Sequence, residues 1–120
     1  MQRFTNLQVW QRSHQLVLEI YRATRAFPIE ERFGLVSQLR RSAVSVPTNI
    51  AEGSKRASSR DFARFLNIAE GSMAEIEYLL MLSHDLELLS EEASTAMLKE
   101  ADEIARMLNA LRVKVEASHT

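Results

Sequence analysis

Helix-breaking residues are scarce along this chain, which has only three glycines and two prolines among 120 residues. Between these breaks, apolar side chains recur every three or four positions, and no stretch keeps the alternation of apolar and polar residues that a half-buried strand requires. Four such periodic segments follow one another with short links. The sequence therefore predicts an all-α fold: a single domain, residues 1–120, that forms an antiparallel up-down four-helix bundle.

Breakers and capping residues predict where the first two helices begin and end. We expect the first helix over about residues 7–26, with Asn6 as its N-cap and Phe27-Pro28 as its end. The second helix is expected to begin near Glu30-Glu31, because acids suit the positive end of a helix dipole. It should close at Gly53.

Pro47 lies inside the second periodic segment. A proline there lacks an amide hydrogen and crowds the carbonyl of Ala43. The apolar spacing nevertheless continues from Val46 to Ile50, so we expect Pro47 to kink the helix without ending it. In one of two accounts of this stretch, Asn49 satisfies backbone groups that the proline frees.

The third and fourth helices have recognisable N-terminal signals. Ser58, followed three residues later by Asp61, predicts a cap for the third helix, and Ser90 predicts one for the fourth. Gly71 lies inside the third helix, where glycine costs about 1 kcal/mol relative to alanine. Its presence predicts the close approach of a neighbouring helix.

Helices one and three each carry two apolar stripes, which is more than one side of a bundle helix needs. One interpretation is that the extra stripes contact another copy of the chain in a closed ring. The other is a wide core with a few exposed leucines, which is normal in globular proteins. The candidate contacts between copies are Phe65, Leu79, Leu82 and Leu86.

Charge is distributed unevenly although the net charge is only −1. Residues 37–64 carry six Lys or Arg against two acids, whereas residues 65–104 carry ten acids against one lysine. Such blocks are either solvated helix faces or complementary surfaces, between copies or toward a polyanion. The candidate nucleic-acid-binding residues are Arg40, Arg41, Lys55, Arg56, Arg60 and Arg64.

Residues 38–53 are the most unusual stretch, and two accounts of them are open. In the structural account, Pro47, Asn49, Glu52 and Gly53 shape the end of helix two, and Glu52 pairs with Lys55 or Arg56. In the functional account, the surrounding bases form a rim that contacts phosphate.

No catalytic pattern is evident. The chain has no cysteine, no Gly-rich phosphate loop and no nucleophile elbow, and its one Glu-x-x-His pair, Glu116 and His119, lies at the end of the sequence. We therefore expect no enzyme, no metal and no cofactor.

The longest apolar run, Tyr78–Leu82, is far short of the roughly 20 residues that span a bilayer, so no membrane span is expected. The first residues lack a secretory pattern, which predicts a cytoplasmic protein.

Several motifs together resemble a known family. The order of an arginine pair, a proline and Asn-Ile-Ala-Glu-Gly resembles the four-helix-bundle proteins encoded in intervening sequences of bacterial 23S ribosomal RNA genes, and the resemblance covers about residues 7–112. It is carried by residues 7–10, 20–21, 27–28, 33–35, 38–41, 46–53 and 65–72. The resemblance implies an up-down bundle, a homopentamer and no established enzymatic activity.

The fold is also similar to that of the accessory protein of diversity-generating retroelements, a pentameric bundle thought to engage nucleic acid. The function expected from all of this is a non-enzymatic, homo-oligomeric binding or scaffold protein with RNA or DNA as its partner. The alternative is a protein-interaction adaptor with no nucleic-acid role.

Overall fold

Four long helices make up most of the computed structural model, which describes residues 3–118. His119, of the Glu-x-x-His pair, lies outside the described residues. The described part contains no strand, which confirms the all-α prediction. The helices are α1 Gln8–Thr24, α2 Ser37–Ser54, α3 Ser59–Asp85 and α4 Glu91–Ala117.

The core lies along the middle of the four helices. Consecutive helices pack against each other, and α1 also packs against α4, which closes the arrangement. Burying one leucine or isoleucine side chain contributes about 1.5–3 kcal/mol, so this core is the main source of stability. Its largest fully buried side chains include Leu16, Ile20, Leu39, Ile50, Leu66, Ile76, Leu80, Ile104 and Leu108.

Pairs of residues between α2 and α3 run in opposite order along the two helices. The hydroxyl groups of Ser45 and Ser72 are 2.8 Å apart, whereas Gly53, later in α2, meets Phe65, earlier in α3. Neighbouring helices that run antiparallel produce this reversed pairing. The up-down order of all four helices and a kink at Pro47 stay predictions.

The predicted N-caps are right for the two long helices and wrong for α1. Ser58 Oγ accepts a hydrogen bond from the Asp61 amide at 3.1 Å, and Ser90 Oγ accepts one from the Ala93 amide at 3.0 Å. Asn6 instead ends a short 3-10 turn, and the N-cap position of α1 falls on the next residue, which has no side-chain acceptor. A local turn thus displaced the expected cap by one position.

The link before α2 is helical but irregular. A 3-10 turn covers Ile29–Glu31, and a π-helical turn covers Arg32–Val36. The α-helix proper therefore begins at Ser37 rather than near Glu30-Glu31. The apolar residues Leu35 and Val36 of the π-helical turn are buried in the core, although they lie outside the regular α-helix.

Pro47 lies inside α2, which continues to Ser54, so the proline does not end the helix. The Asn49 side-chain amide donates to the Ser45 carbonyl at 2.8 Å and to the Ser45 hydroxyl at 3.0 Å. The carbonyl that faces the missing amide hydrogen is that of Ala43, four residues before the proline. The expectation that Asn49 satisfies this freed group was therefore wrong.

Close helix approach occurs at a different glycine from the one predicted. Within residues 3–118, a Cβ on Gly71 would have no atom of another helix within 4 Å, so no described helix approaches it. A Cβ on Gly53 would lie 2.7 Å from Phe65 Cβ and 2.9 Å from Phe62 Cδ1. Gly53 is thus the residue whose missing side chain lets α2 and α3 approach each other.

Candidate nucleic-acid interface

Four of the predicted bases gather at one end of the molecule. Lys55 and Arg56 follow the last turn of α2, and Arg60 and Arg64 lie in the first turns of α3. The guanidinium carbons of Arg56 and Arg64 lie 4.6 and 4.8 Å from the centre of the Phe65 ring. This ring is buried beneath them, so it orients both cations at the surface. We call Lys55, Arg56, Arg60 and Arg64 the basic end.

Two of these four cations have carboxylate partners. Arg56 Nη2 is 3.8 Å from Glu52 Oε2, which confirms that Glu52 pairs with one of the two bases that follow it. Arg64 Nε is 3.7 Å from Asp61 Oδ1. Within residues 3–118, Lys55 and Arg60 are exposed and have no ion-pair partner. They supply the uncompensated positive charge of the basic end.

A groove of about 830 Å³ lies between the first turns of α3 and the last turns of α4. Arg60, Arg64 and Asn67 line it from α3, and Arg112 and Glu116 line it from α4. The N-terminus of α3 adds the partial positive charge of its helix dipole on the same side. The contribution of α4 could not be read from the sequence, because these residues follow the basic end by about fifty positions.

Arg112 is held by carboxylates rather than free to bind a ligand. Its Nε donates to Glu70 of α3, and its Nη1 donates to Glu116 at 3.0 and 3.1 Å. These bonds, the one to Glu70 most strongly, raise the pKa of Arg112 above its ordinary value. Asn109 also donates to Glu70, at 3.2 Å. The cluster therefore fastens α4 to α3 beside the groove.

The family model described as 23S rRNA-intervening sequence protein matches residues 5–110. The chain belongs to this family. A crystal structure of a protein with unknown function from the S23 ribosomal protein family of Bacteroides thetaiotaomicron is similar, with a TM-score of 0.80 and 28% sequence identity. The match covers 87% of this chain and 97% of that one. No curated protein matches the chain.

Arg40 and Arg41 are separated from the basic end in this member of the 23S rRNA-intervening sequence family. They lie in the first turn and a half of α2, and the 15 positions from Arg40 to Lys55 correspond to about 22 Å of helix. Arg40 Nε donates to Thr24 Oγ1 at 2.9 Å, and its guanidinium carbon lies 4.4 Å from the Tyr21 ring centre. Within one chain the six predicted bases therefore do not form one surface, and Arg40 connects α2 to α1.

Two of the four residues predicted to contact another copy are already buried within one chain. Phe65 lies beneath the basic end, and Leu79 belongs to the core. Leu82 is half-buried against that core, and only Leu86 is largely exposed, at 52%. The second stripe of α3 is thus used mainly by this chain's own neighbouring helices, because α3 packs against both α2 and α4.

Two further properties of this 23S rRNA-intervening sequence protein bear on the sequence predictions. In the part that the structure describes, no three His, Asp or Glu side chains lie close enough together to hold a metal ion. None of the helices described between residues 3 and 118 is long and apolar enough to cross a bilayer.

Proposed function

We propose that this protein is a cytoplasmic, non-enzymatic homo-oligomer that binds RNA or DNA through the basic end, without strong sequence preference. The observation that supports this most is a cluster of four cations: Lys55 and Arg60, which have no ion-pair partner within residues 3–118, lie at the same end of the molecule as two guanidinium groups that rest on the Phe65 ring. Phosphate contacts by lysine and arginine supply most of the affinity of sequence-independent nucleic-acid binding. In this role the protein is a binding or scaffold module.

The fixed positions of Arg56 and Arg64 make them suitable for this task. A guanidinium that already rests on a ring loses less freedom on binding than one that moves freely in water. A planar guanidinium group also stacks on unpaired bases, and it can donate two parallel hydrogen bonds to the oxygens of one phosphate. The arginines of the basic end can therefore serve single strands, whose bases are accessible.

Self-association is the second part of the proposal, and five copies is the number that the family resemblance implies. One subunit offers only two uncompensated cations at this end, which is too few for tight binding at physiological salt. Several basic ends on one strand raise the effective concentration of each further contact. Light scattering should accordingly give a mass near five times the 13.7 kDa of one chain.

Two alternatives give the basic end no role in binding nucleic acid. If the basic end pairs with acids of residues 65–104 on an adjacent copy, it is an assembly surface and little positive charge remains free. If the protein is an adaptor, a partner protein binds an exposed apolar surface and nucleic acid is not involved.

A charge-reversal pair tests the proposal. Lys55→Glu with Arg60→Glu removes the two free cations, and Lys99→Glu with Arg106→Glu makes the same change in net charge on exposed positions of α4. Fluorescence anisotropy with labelled single-stranded RNA and DNA should show binding weakened about tenfold or more by the first pair and about twofold or less by the control. For the wild type on a single strand, the logarithm of the affinity should fall by about 0.7 per phosphate contact for each unit rise in the logarithm of the salt concentration.

The remaining outcomes decide against the proposal. If wild type binds neither RNA nor DNA at low salt, the nucleic-acid function is wrong and the adaptor becomes the better account. If Lys55→Glu with Arg60→Glu lowers the mass seen by light scattering while the control does not, the basic end is an assembly surface.

A further inference from the structure

The outward side of α3 carries an apolar stripe that no part of the described chain covers. Gly71, Ala74, Tyr78 and Met81 follow 3-4-3 spacing, which places them on one line of the helix, opposite the buried Leu66, Met73 and Leu80. Tyr78 is 60% exposed and Met81 is 53% exposed. We call these four residues the α3 stripe.

Gly71 is the unexplained residue of the α3 stripe. It lies in the interior of a 27-residue helix, where glycine is among the least favourable residues. Glycine is tolerated there when another backbone needs the space, yet, apart from the adjoining backbone of α3 itself, no atom of residues 3–118 lies within 4 Å of the position that its Cβ would occupy. The space beside Gly71 therefore suits a group from outside the chain.

A second uncovered surface lies where α1, the irregular link and α2 meet. Tyr21, Phe33, Val36 and Val44 line a groove of about 490 Å³, together with Arg32, Ser37, Arg40 and Arg41. Phe33 is 89% exposed, which is unusual for a phenylalanine. We call this surface the α1–α2 groove.

The two surfaces are complementary in charge as well as in apolar character. Exposed Glu75 and Asp85 lie beside and at the end of the α3 stripe, while exposed Arg32 and Arg41 border the α1–α2 groove. Within residues 3–118, neither Glu75 nor either of these two arginines has an ion-pair partner. Opposite charges around apolar centres favour contact between the two surfaces and oppose contact of either surface with itself.

We propose that the α3 stripe of one copy docks into the α1–α2 groove of the next copy. Phe33 then packs over the space beside Gly71, and Arg32 and Arg41 face the acids of α3. The contact joins two different surfaces, so it repeats head to tail and closes into a ring when the rotation between copies permits. The inference rests on the self-association in the proposed function and adds which surfaces carry it.

Two substitutions are expected to disrupt this contact between copies without unfolding the single chain. Gly71→Gln fills the free space and improves helix propensity, so the helical content and the thermal midpoint of the separated chain should not fall. Phe33→Asp changes a side chain that is almost fully exposed, so it should also leave the fold intact. Ala110→Gln, on an exposed position of α4, is the control.

Each of the two variants alone should be a monomer of 13.7 kDa by light scattering, while Ala110→Gln keeps the wild-type mass. Mixing Gly71→Gln with Phe33→Asp should give a one-to-one dimer, because the mixture retains one intact groove and one intact stripe. Circular dichroism of each variant verifies that it is folded.

The failures are distinguishable. A monomeric wild type overturns the self-association itself, and with it this inference. An assembled wild type whose mass is unchanged in both variants leaves the self-association standing and shows that these two surfaces do not form it. Monomeric variants that give no complex on mixing overturn the head-to-tail pairing of stripe and groove.

Discussion

Arg12 of α1 and Glu100 of α4 form a bidentate ion pair, with Nε–Oε2 at 2.9 Å and Nη2–Oε1 at 2.6 Å. The pair joins the first and last helices across 88 positions of sequence. The hydrogen bonds to Glu100 raise the pKa of Arg12, while partial burial acts in the opposite direction. Both side chains retain contact with water, so solvent screens the attraction.

Replacing Arg12 or Glu100 should therefore have a modest effect on stability. Arg12→Ala and Glu100→Ala are each expected to lower the free energy of unfolding by about 0.5–1 kcal/mol. The double variant should lose less than the sum, because either change alone breaks the pair. Urea unfolding of all four proteins gives the coupling free energy, and a coupling of zero would mean that the pair does not help to hold α1 against α4.

Gly53→Ala should be clearly destabilising. The added methyl carbon overlaps Phe65 Cβ at 2.7 Å and Phe62 Cδ1 at 2.9 Å, so α2 and α3 must move apart, which costs about 1–3 kcal/mol. Gly34→Ala is the matched control, since its methyl carbon would lie 3.6 Å from Glu31 Oε1, an ordinary contact. If both substitutions change the urea midpoint equally, the close approach at Gly53 is not needed.

Glu87→Gly should be stabilising. Glu87 has φ 64°, a left-handed conformation that costs a non-glycine residue about 1–2 kcal/mol and that glycine adopts freely. The turn keeps its backbone bonds from the Glu87 amide to the His84 carbonyl and from the Leu88 amide to the Ser83 carbonyl, both 2.9 Å. We expect a gain of about 0.5–1 kcal/mol by urea unfolding. Glu87→Gln, which removes the charge and keeps the strain, should change little.

Glu77 should make stability depend on pH. Burial, and then the nearby charge of Asp102, raise the pKa of Glu77. The folded chain therefore holds this proton at a pH where the unfolded chain has released it, and stability falls as pH rises from about 4.3 through the folded pKa.

Glu77→Gln removes this dependence. The variant should be more stable than wild type at pH 7, and the difference should vanish as pH falls below the unfolded value, in chemical denaturation at several pH values. Glu19→Gln, an exposed glutamate of α1, controls for the loss of one charge. A Glu77→Gln advantage that is independent of pH would point to a cause other than ionisation.

Phe65 connects the fold to the proposed function. Phe65→Leu keeps an apolar side chain in the buried position but removes the ring beneath Arg56 and Arg64. Losing this support should weaken binding to single-stranded RNA by about two- to fivefold, the equivalent of a cation–π contact of about 0.5–1 kcal/mol. Phe62→Leu, on the same helix, is the control. Equal losses in the two variants would show that general packing, not the ring beneath the cations, affects binding.

Features that depend on near neighbours in the chain were predictable from the sequence. Apolar spacing indicates a helix because residues three and four positions apart share a face. Ser58 and Ser90 were recognisable as caps because a serine hydroxyl bonds an amide three residues later. The Glu52–Arg56 pair follows from the same helical geometry. The family was predictable too, since its motifs are short runs of consecutive residues.

Features that depend on distant segments were decided only when the helices packed. Arg40 is close to Lys55 in sequence but lies at the other end of α2, bound to Thr24. Phe65 and Leu79 have the same helical spacing that an exposed stripe would show, and the positions of α2 and α4 determine that they are buried.

The two glycines of the helices show the same division. The sequence predicted Gly53 as the end of helix two, whereas Gly71, inside helix three, carried a cost of about 1 kcal/mol that needed a reason. The tertiary structure decided that α2 and α3 approach at Gly53 and that Gly71 faces outward. Local spacing specifies which residues share a helix face, whereas the packing of whole helices, a property of segments far apart in the chain, specifies what each face meets.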